Sequence, residues 1–299
     1  MIKTEALSFS YDDGTQALRE VYLEVREGEF FALLGANGCG KTTLLKQLNG
    51  LLKPSAGQVF LDGKELRSLK DEEIFKRVGM VFQDPNDQLF ATNVEQDVAF
   101  GAINLGLKPD EVAKRTAEAL KLVGGLGFAG KAIHTLSFGQ KRRVAIAGVL
   151  AMEPEIILLD EPTGGLDPRG VSSVMRLLRK LNKEKGITML MATHDVDLVP
   201  LFCDRVDVMS QGKIIADGCP EKIFANTSMI REAKLRLPRL GHLVEVLRKE
   251  DGMHFEKMPL TIGEARREFL KLVKARACTG RFAEVEPVKD KGLERGELG

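Results

Sequence analysis

The chain has 299 residues, of which 43% are hydrophobic and 29% charged, a composition typical of a folded globular protein. Its 44 Lys and Arg nearly balance 43 Asp and Glu, so the charge gives no support for a nucleic-acid partner, which a basic excess would indicate. No apolar run approaches the ~18 residues of a membrane-spanning helix, and the four cysteines form no CxxC pair, so we expect no disulfide framework.

Residues 1–220 alternate between short apolar runs and helical periodicity, which predicts an α/β fold. Three segments mix polar and apolar residues, as expected of a more exposed antiparallel layer: 1–9, 19–25 and 57–61. Three almost wholly apolar runs predict strands buried on both faces: 29–34, 156–159 and 187–192. A largely parallel central sheet follows from these three runs.

The stretch from about 84 to 152 has a different pattern. Ala, Leu, Lys and Glu recur there at helical spacing, with Pro109 as a predicted helix start, so we expect a helical insertion in the sheet domain. Beyond residue 220 the buried-strand pattern stops. Residues 221–299 are therefore predicted to form a helical appendage, for which dimer contacts are our hypothesis; binding to anionic lipid is the less favoured alternative.

A glycine-rich loop follows the first apolar run. It fits the pattern G-x-x-x-x-G-K-[ST] between a strand and a helix, and glycines let successive N–H groups turn toward phosphate oxygens. Lys41 can neutralise phosphates and the Thr42 hydroxyl can bind Mg²⁺, whereas Cys39 occupies a variable position. The predicted nucleotide contacts of this loop are Gly35, Asn37, Gly38, Cys39, Gly40, Lys41, Thr42 and Thr43. A chance glycine-rich turn is the alternative.

Two carboxylates, Asp160 and Glu161, come directly after the second apolar run. The first can hold Mg²⁺ beside the phosphate loop, and the second can polarise an attacking water. The pair predicts a nucleoside triphosphate hydrolase. A GTPase is not favoured, because the nearest match to the guanine-reading Asn-Lys-x-Asp, Asn182 to Lys185, lacks the aspartate.

The segment Leu136 to Gln140 identifies a family. Ser137 is predicted to cap a helix whose free N–H groups could contact a second phosphate. With the phosphate loop before it and Asp160 after it, this segment resembles the LSGGQ signature of ATP-binding-cassette ATPases. Further family marks occur in order over about residues 1–220: Tyr11 resembles the adenine-stacking aromatic, Gln83 the Q-loop glutamine, Asp167 the D-loop aspartate and His194 the switch histidine.

The resemblance implies a fold and a mechanism. The fold is a P-loop nucleotide-hydrolase sheet core with an antiparallel β layer. Two such domains pack head to tail around ATP and Mg²⁺, so that Ser137, Gly139, Gln140 and Asp167 act at the partner's nucleotide. Glu161 is then the general base, His194 aligns the γ-phosphate, and Gln83 contacts Mg²⁺ together with Thr42 and Asp160. The chain would be a peripheral subunit at the cytoplasmic face of the membrane, partnered by a transmembrane coupling protein and a substrate-capture membrane component.

Two stretches look like the energy-coupling-factor branch of that family, residues 83–90 and 95–101, and two more look most like the cobalt or nickel importer ATPase, residues 139–148 and 195–200. Uptake of a vitamin or another micronutrient is the alternative. A soluble cassette ATPase without a membrane partner and a non-hydrolytic module are less favoured. One departure stands out, because Phe138 occupies the position of the first glycine of the usual signature.

Overall fold

The computed structural model describes residues 1–279. In chain order its strands are β1 (Ile2–Ser10), β2 (Gln16–Val25), β3 (Phe30–Gly35), β4 (Ala56–Leu61), β5 (Lys64–Glu65), β6 (Val78–Val81), β7 (Ile156–Asp160), β8 (Thr188–Thr193), β9 (Arg205–Ser210) and β10 (Lys213–Gly218). Its helices are α1 (Lys41–Leu48), α2 (Asp71–Arg77), α3 (Val94–Asn104), α4 (Pro109–Leu122), α5 (Phe138–Leu150), α6 (Pro168–Lys185), α7 (Val199–Phe202), α8 (Pro220–Ala225), α9 (Thr227–Glu232), α10 (Arg239–Lys249) and α11 (Ile262–Thr279).

The central sheet has the strand order β10-β9-β3-β8-β7-β6. Its five strands from β9 to β6 run parallel, and β10 closes one edge as an antiparallel hairpin with β9. Every residue of β3, β7 and β8 is buried, which explains why the interiors of these strands are continuously apolar instead of alternating. The prediction of an α/β core built on these three strands is confirmed.

The second sheet is antiparallel, in the order β2-β1-β4-β5, as the mixed segments near the amino terminus predicted. One apolar cluster joins the two sheets and includes three leucines of α1, Leu44, Leu45 and Leu48, none of which is exposed. Burial of each such side chain contributes about 2 kcal/mol. This core fixes α1, and with it the loop that precedes α1, between the two sheets.

Helices α3, α4 and α5 occupy the stretch between β6 and β7 in which the sequence predicts an insertion. The start predicted for α4 at Pro109 is confirmed. Asn93 caps α3 through its side chain, which accepts from the backbone N–H of Gln96. Buried apolar residues along the three helices pack them together, while Gln88, in the connection from β6, bonds to the Ala145 carbonyl of α5 at 3.1 Å.

The described chain divides into two compact units, the first spanning Met1–Arg239 and the second starting at Leu240. The sequence placed a boundary at residue 220, but α8 and α9 belong to the first unit, in which they bury Ile223, Phe224 and Ile230. In the second unit, Phe255 and Phe269 meet edge to face at 5.4 Å. Residues 280–299 of the predicted appendage lie outside the described part of the chain.

No helix within residues 1–279 is both long enough and apolar enough to cross a membrane.

Candidate functional site

Three strand ends meet at one edge of the central sheet. Leu34 of β3 pairs with Thr193 of β8, and Asp160 of β7 pairs with Ala192 of the same strand. The strands are parallel, so the residues that follow them all emerge at this carboxyl edge, where α/β sheets bind ligands. The phosphate loop, the Asp160–Glu161 pair and His194 are thereby brought together, although the loop precedes the other two by more than 100 residues in sequence.

The phosphate loop (35–43) encloses its site with a tight backbone. Gly40 has a φ of 111° and caps α1. A Cβ on Gly40 would lie 2.6 Å from the Ala17 carbonyl oxygen of β2, so both the dihedral and the close approach require glycine. A cavity of about 480 Å³ opens here, and its lining includes predicted loop residues from Asn37 to Thr43.

Lys41 is buried within this site. Its Nζ donates to the carbonyl oxygens of Gly35 at 2.8 Å and Ala36 at 3.2 Å and lies 3.6 Å from Glu161 Oε1. The cation is therefore held at the loop by two neutral acceptors and one carboxylate, all within reach of the cavity. Burial raises the pKa of the neighbouring Cys39 thiol, which keeps it protonated and agrees with the expectation that Cys39 has no chemistry of its own.

Asp160 and Thr42, two of the residues predicted to bind a cation through their side chains, lie in contact. The Thr42 hydroxyl donates to Asp160 Oδ2 at 2.8 Å, while Asp160 Oδ1 is buried without a hydrogen-bond partner. Burial raises the pKa of Asp160, and the Thr42 hydrogen bond partly offsets this. A buried carboxylate oxygen without a partner, next to a hydroxyl at the lip of a phosphate loop, fits a hard divalent cation such as Mg²⁺.

Glu161 is held by its neighbours in a strained backbone conformation. Its φ of 44° lies in the left-handed region, which non-glycine residues adopt mainly where the surroundings enforce it. His194 Nδ1 lies 2.8 Å from Glu161 Oε1, and the Thr193 hydroxyl donates to Oε2 at 3.3 Å. The carboxylate is thus oriented on both oxygens, as a water-activating base requires. Thr193 was missed as an orienting group, although it ends the apolar run before His194.

Tyr11 lies at the rim of the same cavity. Its hydroxyl is within 2.9 Å of Thr43 Oγ1, and its ring meets Phe9 edge to face at 4.9 Å. The residue is 41% exposed, so part of its surface is open to solvent beside the phosphate loop. This position is compatible with the predicted stacking on a base.

Gln83 lines the cavity from the side of the helical insertion. Its loop, residues 82–88, is tied to α5 by Arg142, which donates to the carbonyl oxygens of Phe82 at 2.7 Å and Gln83 at 2.5 Å. Sequence reasoning missed Arg142, because it lies between Lys141 and Arg143 in a basic run of α5 and nothing in the sequence sets it apart from its neighbours.

The signature residues lie outside the cavity that Lys41 lines. Ser137 and Gln140 form a reciprocal capping box at the start of α5: the Gln140 N–H donates to Ser137 Oγ and the Ser137 N–H to Gln140 Oε1. Ser137 is exposed. Asp167 caps α6 by accepting from the Gly170 N–H at 2.6 Å. One chain therefore does not bring Ser137, Gly139, Gln140 and Asp167 into the lining of its own phosphate site.

A junction behind the phosphate loop was not predicted. Gly212 lies in the turn between β9 and β10. Its N–H donates to the Cys39 carbonyl, and its own carbonyl accepts from the backbone N–H of Arg19 in β2. A Cβ on Gly212 would lie 2.7 Å from the Ala17 carbonyl oxygen. The turn thus joins the loop to both sheets, and Gln211 from it also lines the cavity.

Comparison with known proteins agrees with this geometry. The family model described as ABC transporter matches residues 18–164, and a second model, described as AAA domain, putative AbiEii toxin, Type IV TA system, matches residues 130–199. The chain is 50% identical over 269 residues to the energy-coupling factor transporter ATP-binding protein EcfA2 of Clostridium perfringens, covering 89% of this chain and 94% of that one. It is 51% identical over 276 residues to EcfA of Methanocaldococcus jannaschii, covering 92% and 98%.

Solved structures give the same result. The structure of cbiO1 from Clostridium perfringens, described as part of the ABC transporter complex cbiONQ, matches with a TM-score of 0.70 and 50% identity over 82% of this chain and 98% of that chain. A dimeric post-hydrolysis ATP-binding cassette, MJ0796 bound to ADP and Pi, matches with a TM-score of 0.67 and 34% identity over 74% and 99%. The chain therefore belongs to the ATP-binding-cassette transporter ATPases, in their energy-coupling factor branch, and is an ATPase whose hydrolysis is coupled to transport.

Proposed function

We propose that this ATPase powers an energy-coupling-factor importer for cobalt or nickel ions, as a peripheral subunit at the cytoplasmic face of the membrane. The observation that carries the ATPase role is the phosphate site, in which Lys41, Asp160 and Glu161 line one cavity and His194 contacts Glu161. Support for the metal ion is the resemblance of residues 139–148 and 195–200 to the importer ATPase of that kind. Vitamin uptake by the same type of complex is the alternative.

The residues of the site are assigned as follows. Lys41, now satisfied by two loop carbonyls, transfers its hydrogen bonds to the β- and γ-phosphates of ATP, and Tyr11 stacks on the adenine. Glu161 accepts the proton of the attacking water, and His194, 2.8 Å from Glu161 Oε1, keeps base and γ-phosphate aligned. This division is positioning plus charge stabilisation, which dominates catalysis of phosphoryl transfer.

Mg²⁺ is the cofactor that fits this site. Thr42 and Asp160 would hold it, and Gln83, which lines the same cavity, would sense it. When bound, the ion neutralises charge that develops on the phosphates. The buried oxygen of Asp160 that lacks a partner supports this assignment.

The signature residues act at the nucleotide bound by a partner chain, which is a second copy of this chain or a paralogue. Ser137, Gly139 and Gln140 lie at the exposed start of α5, and Asp167 lies at the start of α6, outside the cavity of their own chain. Head-to-tail pairing supplies each phosphate site with the start of the partner's α5, whose free N–H groups favour an anion. The dimeric MJ0796 neighbour supports this arrangement.

The membrane partner is proposed to dock in an apolar groove beside the Gln83 loop. The groove has a volume of about 360 Å³ and is lined by residues of α2, β6, α3 and α5. Phe90 and Phe100 stand in it edge to face at 4.6 Å, and they are 64% and 44% exposed. An apolar face of this kind on a soluble surface marks a protein contact, and a short amphipathic helix of the transmembrane coupling protein is the occupant we propose.

Co-purification from membranes followed by ion uptake tests this function. The tagged full-length chain is expected to capture a transmembrane coupling protein and a substrate-capture component, and cells expressing the set are expected to accumulate cobalt or nickel. A Phe90→Ser, Phe100→Ser variant is expected to lose the membrane partners but keep ATP binding. Accumulation of a vitamin instead would select the alternative, and recovery of the chain without any membrane protein would contradict the proposal.

A further inference from the structure

Phe138, the residue that departs from the usual signature, packs on the loop that contains Asp167. Gly165 in that loop has a φ of 74°, and a Cβ on it would lie 2.9 Å from Phe138 Cε1 and 3.2 Å from Cζ. The ring therefore fills space that only a glycine at position 165 leaves open. The bulky side chain is directed toward its own chain, so it is a contact between two segments of one cassette.

Arg142 follows Phe138 by four residues and lies on the same side of α5, since its guanidinium carbon is 5.5 Å from the centre of the Phe138 ring. Arg142 is wholly buried. Within the described residues its hydrogen bonds go to three carbonyl oxygens, those of Phe82, Gln83 and Gly164. These carbonyls belong to two different loops, the Gln83 loop (82–88) and the Asp167 loop (164–167).

Further contacts tie both loops to α5. Lys141 Nζ donates to Asn86 Oδ1 at 2.7 Å, which adds a bond to the Gln83 loop. A Cβ on Gly139 would lie 3.7 Å from Leu166 Cδ2, an ordinary contact with the Asp167 loop. The first turn and a half of α5 is therefore the common support of both loops and of the exposed Ser137.

We propose that Phe138 and Arg142 are positioning residues for ATP hydrolysis, which hold the Asp167 loop and the Gln83 loop in a fixed relation to the Ser137 end of α5. The inference rests on the proposed function, in which Gln83 acts at the chain's own nucleotide and Ser137 and Asp167 act at the partner's. A shift of one loop relative to the others would misplace groups at both nucleotides. Where the usual signature has a flexible glycine, Phe138 thus supplies a packed contact with Gly165.

The test uses the full-length protein with Phe138→Ala, which removes the ring without the added helix cost of glycine. Binding of a fluorescent ATP analogue by the monomer is expected to stay within about twofold, because Phe138 does not line the Lys41 cavity, while kcat falls about tenfold to a hundredfold through misplacement. Phe138→Tyr, which keeps the ring, is expected to retain activity. Tyr22→Ala, an exposed aromatic on β2, is the control outside the site, and thermal melting verifies folding of each variant.

Arg142→Lys tests whether the two residues act as one unit. Lysine keeps the charge but lacks the planar guanidinium group that donates to three carbonyl oxygens in two loops. We therefore expect kcat to fall with little change in analogue binding. The double variant Phe138→Ala, Arg142→Lys is expected to lose less activity than the product of the two single losses, since coupled residues are not additive.

Three results would overturn the proposal: wild-type kcat in a folded Phe138→Ala variant, an equal loss of analogue binding and kcat, or fully multiplicative losses in the double variant. A Glu161→Gln variant incubated with ATP separates this from failure of the assigned mechanism. If it forms a dimer while Phe138→Ala behaves as wild type, the positioning role fails and the mechanism stands. If it forms none, the head-to-tail assignment itself fails.

Discussion

At the scale of single residues, the backbone conformation of Glu161 accompanies a carboxylate held by its neighbours. Its left-handed backbone (φ 44°) turns the side chain from the end of β7 back into the site, and both carboxylate oxygens have neighbours that orient them. The carboxylate also lies 3.6 Å from the Lys41 ammonium. One residue therefore connects the Lys41 ammonium of the phosphate loop to Thr193 and His194 at the end of β8.

Glu161→Gln is expected to bind ATP, stop hydrolysis and accumulate as a closed dimer, because the amide keeps the shape but cannot take a proton from water. Size-exclusion chromatography with ATP and a phosphate-release assay measure both effects. Glu20→Gln is the matched control, since Glu20 has a similar φ of 49° on the first sheet and does not line the cavity. Wild-type hydrolysis in Glu161→Gln would remove it from the role of base.

Asp160→Asn is expected to stabilise the nucleotide-free protein and abolish stabilisation by Mg²⁺ with ATP. Burial raises the pKa of Asp160, so its ionised form is the unfavourable one in the folded state, and the neutral amide relieves a cost of about 1 kcal/mol. Urea denaturation near pH 7.5, with and without Mg²⁺ and ATP, measures both changes. A variant that still gains the wild-type increment from Mg²⁺ would show that the ion binds elsewhere.

At the scale of elements, the hairpin of β9 and β10 carries a buried acid. Asp207 is 2% exposed and pairs across the hairpin with Asp217. Burial raises the pKa of Asp207 to about 7, Arg205 opposes the rise, and the charge of Asp217 adds to it. Folded protein thus retains a proton that the unfolded chain releases near pH 4.

Asp207→Asn is therefore expected to be more stable than wild type at pH 8, with the advantage growing from about pH 4 to about pH 7. The sign follows because a group with a raised pKa loses its stabilising contribution as pH rises toward that value, and the full difference is of order 4 kcal/mol. Urea titrations at several pH values measure it. Asp217→Asn removes a charge that helps to raise the pKa of Asp207, so the stability of this variant is expected to stop falling at a lower pH than that of wild type. Parallel pH profiles of the stability of wild type and Asp207→Asn would contradict the assignment.

Elements with a strong local signal could be predicted from the sequence. The buried strands have continuous apolar runs, the phosphate loop has fixed glycine spacing, and the start of α4 is marked by Pro109, so neighbours in sequence carry each signal. The β9–β10 hairpin was missed because charged residues such as Arg205 and Asp207 interrupt its apolar pattern. The contacts of Arg142 and the junction at Gly212 join segments distant in sequence, and no local pattern encodes them.

At the scale of the whole molecule, one chain presents two separate faces to which we assign a function. The first is the cavity behind Lys41, and the second is the exposed start of α5 at Ser137, which does not line that cavity. If two chains pair head to tail, each face is half of a site. A substitution at the second face is then expected to leave the first face able to bind ATP.

Ser137→Asp tests this separation. Aspartate caps a helix as well as serine does, so α5 is preserved while a negative charge opposes the partner's γ-phosphate. Hydrolysis is expected to fall by more than about a hundredfold, and monomer binding of a fluorescent ATP analogue is expected to stay unchanged. Ser137→Asn, a neutral cap, is the control and is expected to keep more activity. Joint loss of binding and hydrolysis in Ser137→Asp would argue against the paired arrangement.

The Gly212 turn has a consequence for how this protein tolerates change. The backbone of the turn between β9 and β10 bonds to both Cys39 of the phosphate loop and Arg19 of the first sheet. Tips of hairpins commonly accept inserted residues, but this turn supports the phosphate loop and is expected not to accept them. An epitope or a protease site placed at residues 211–212 would remove the hydrogen bond to the Cys39 carbonyl and loosen the phosphate loop. The equivalent insertion at Gly14, where a Cβ would meet nothing within 4 Å, would leave that loop supported.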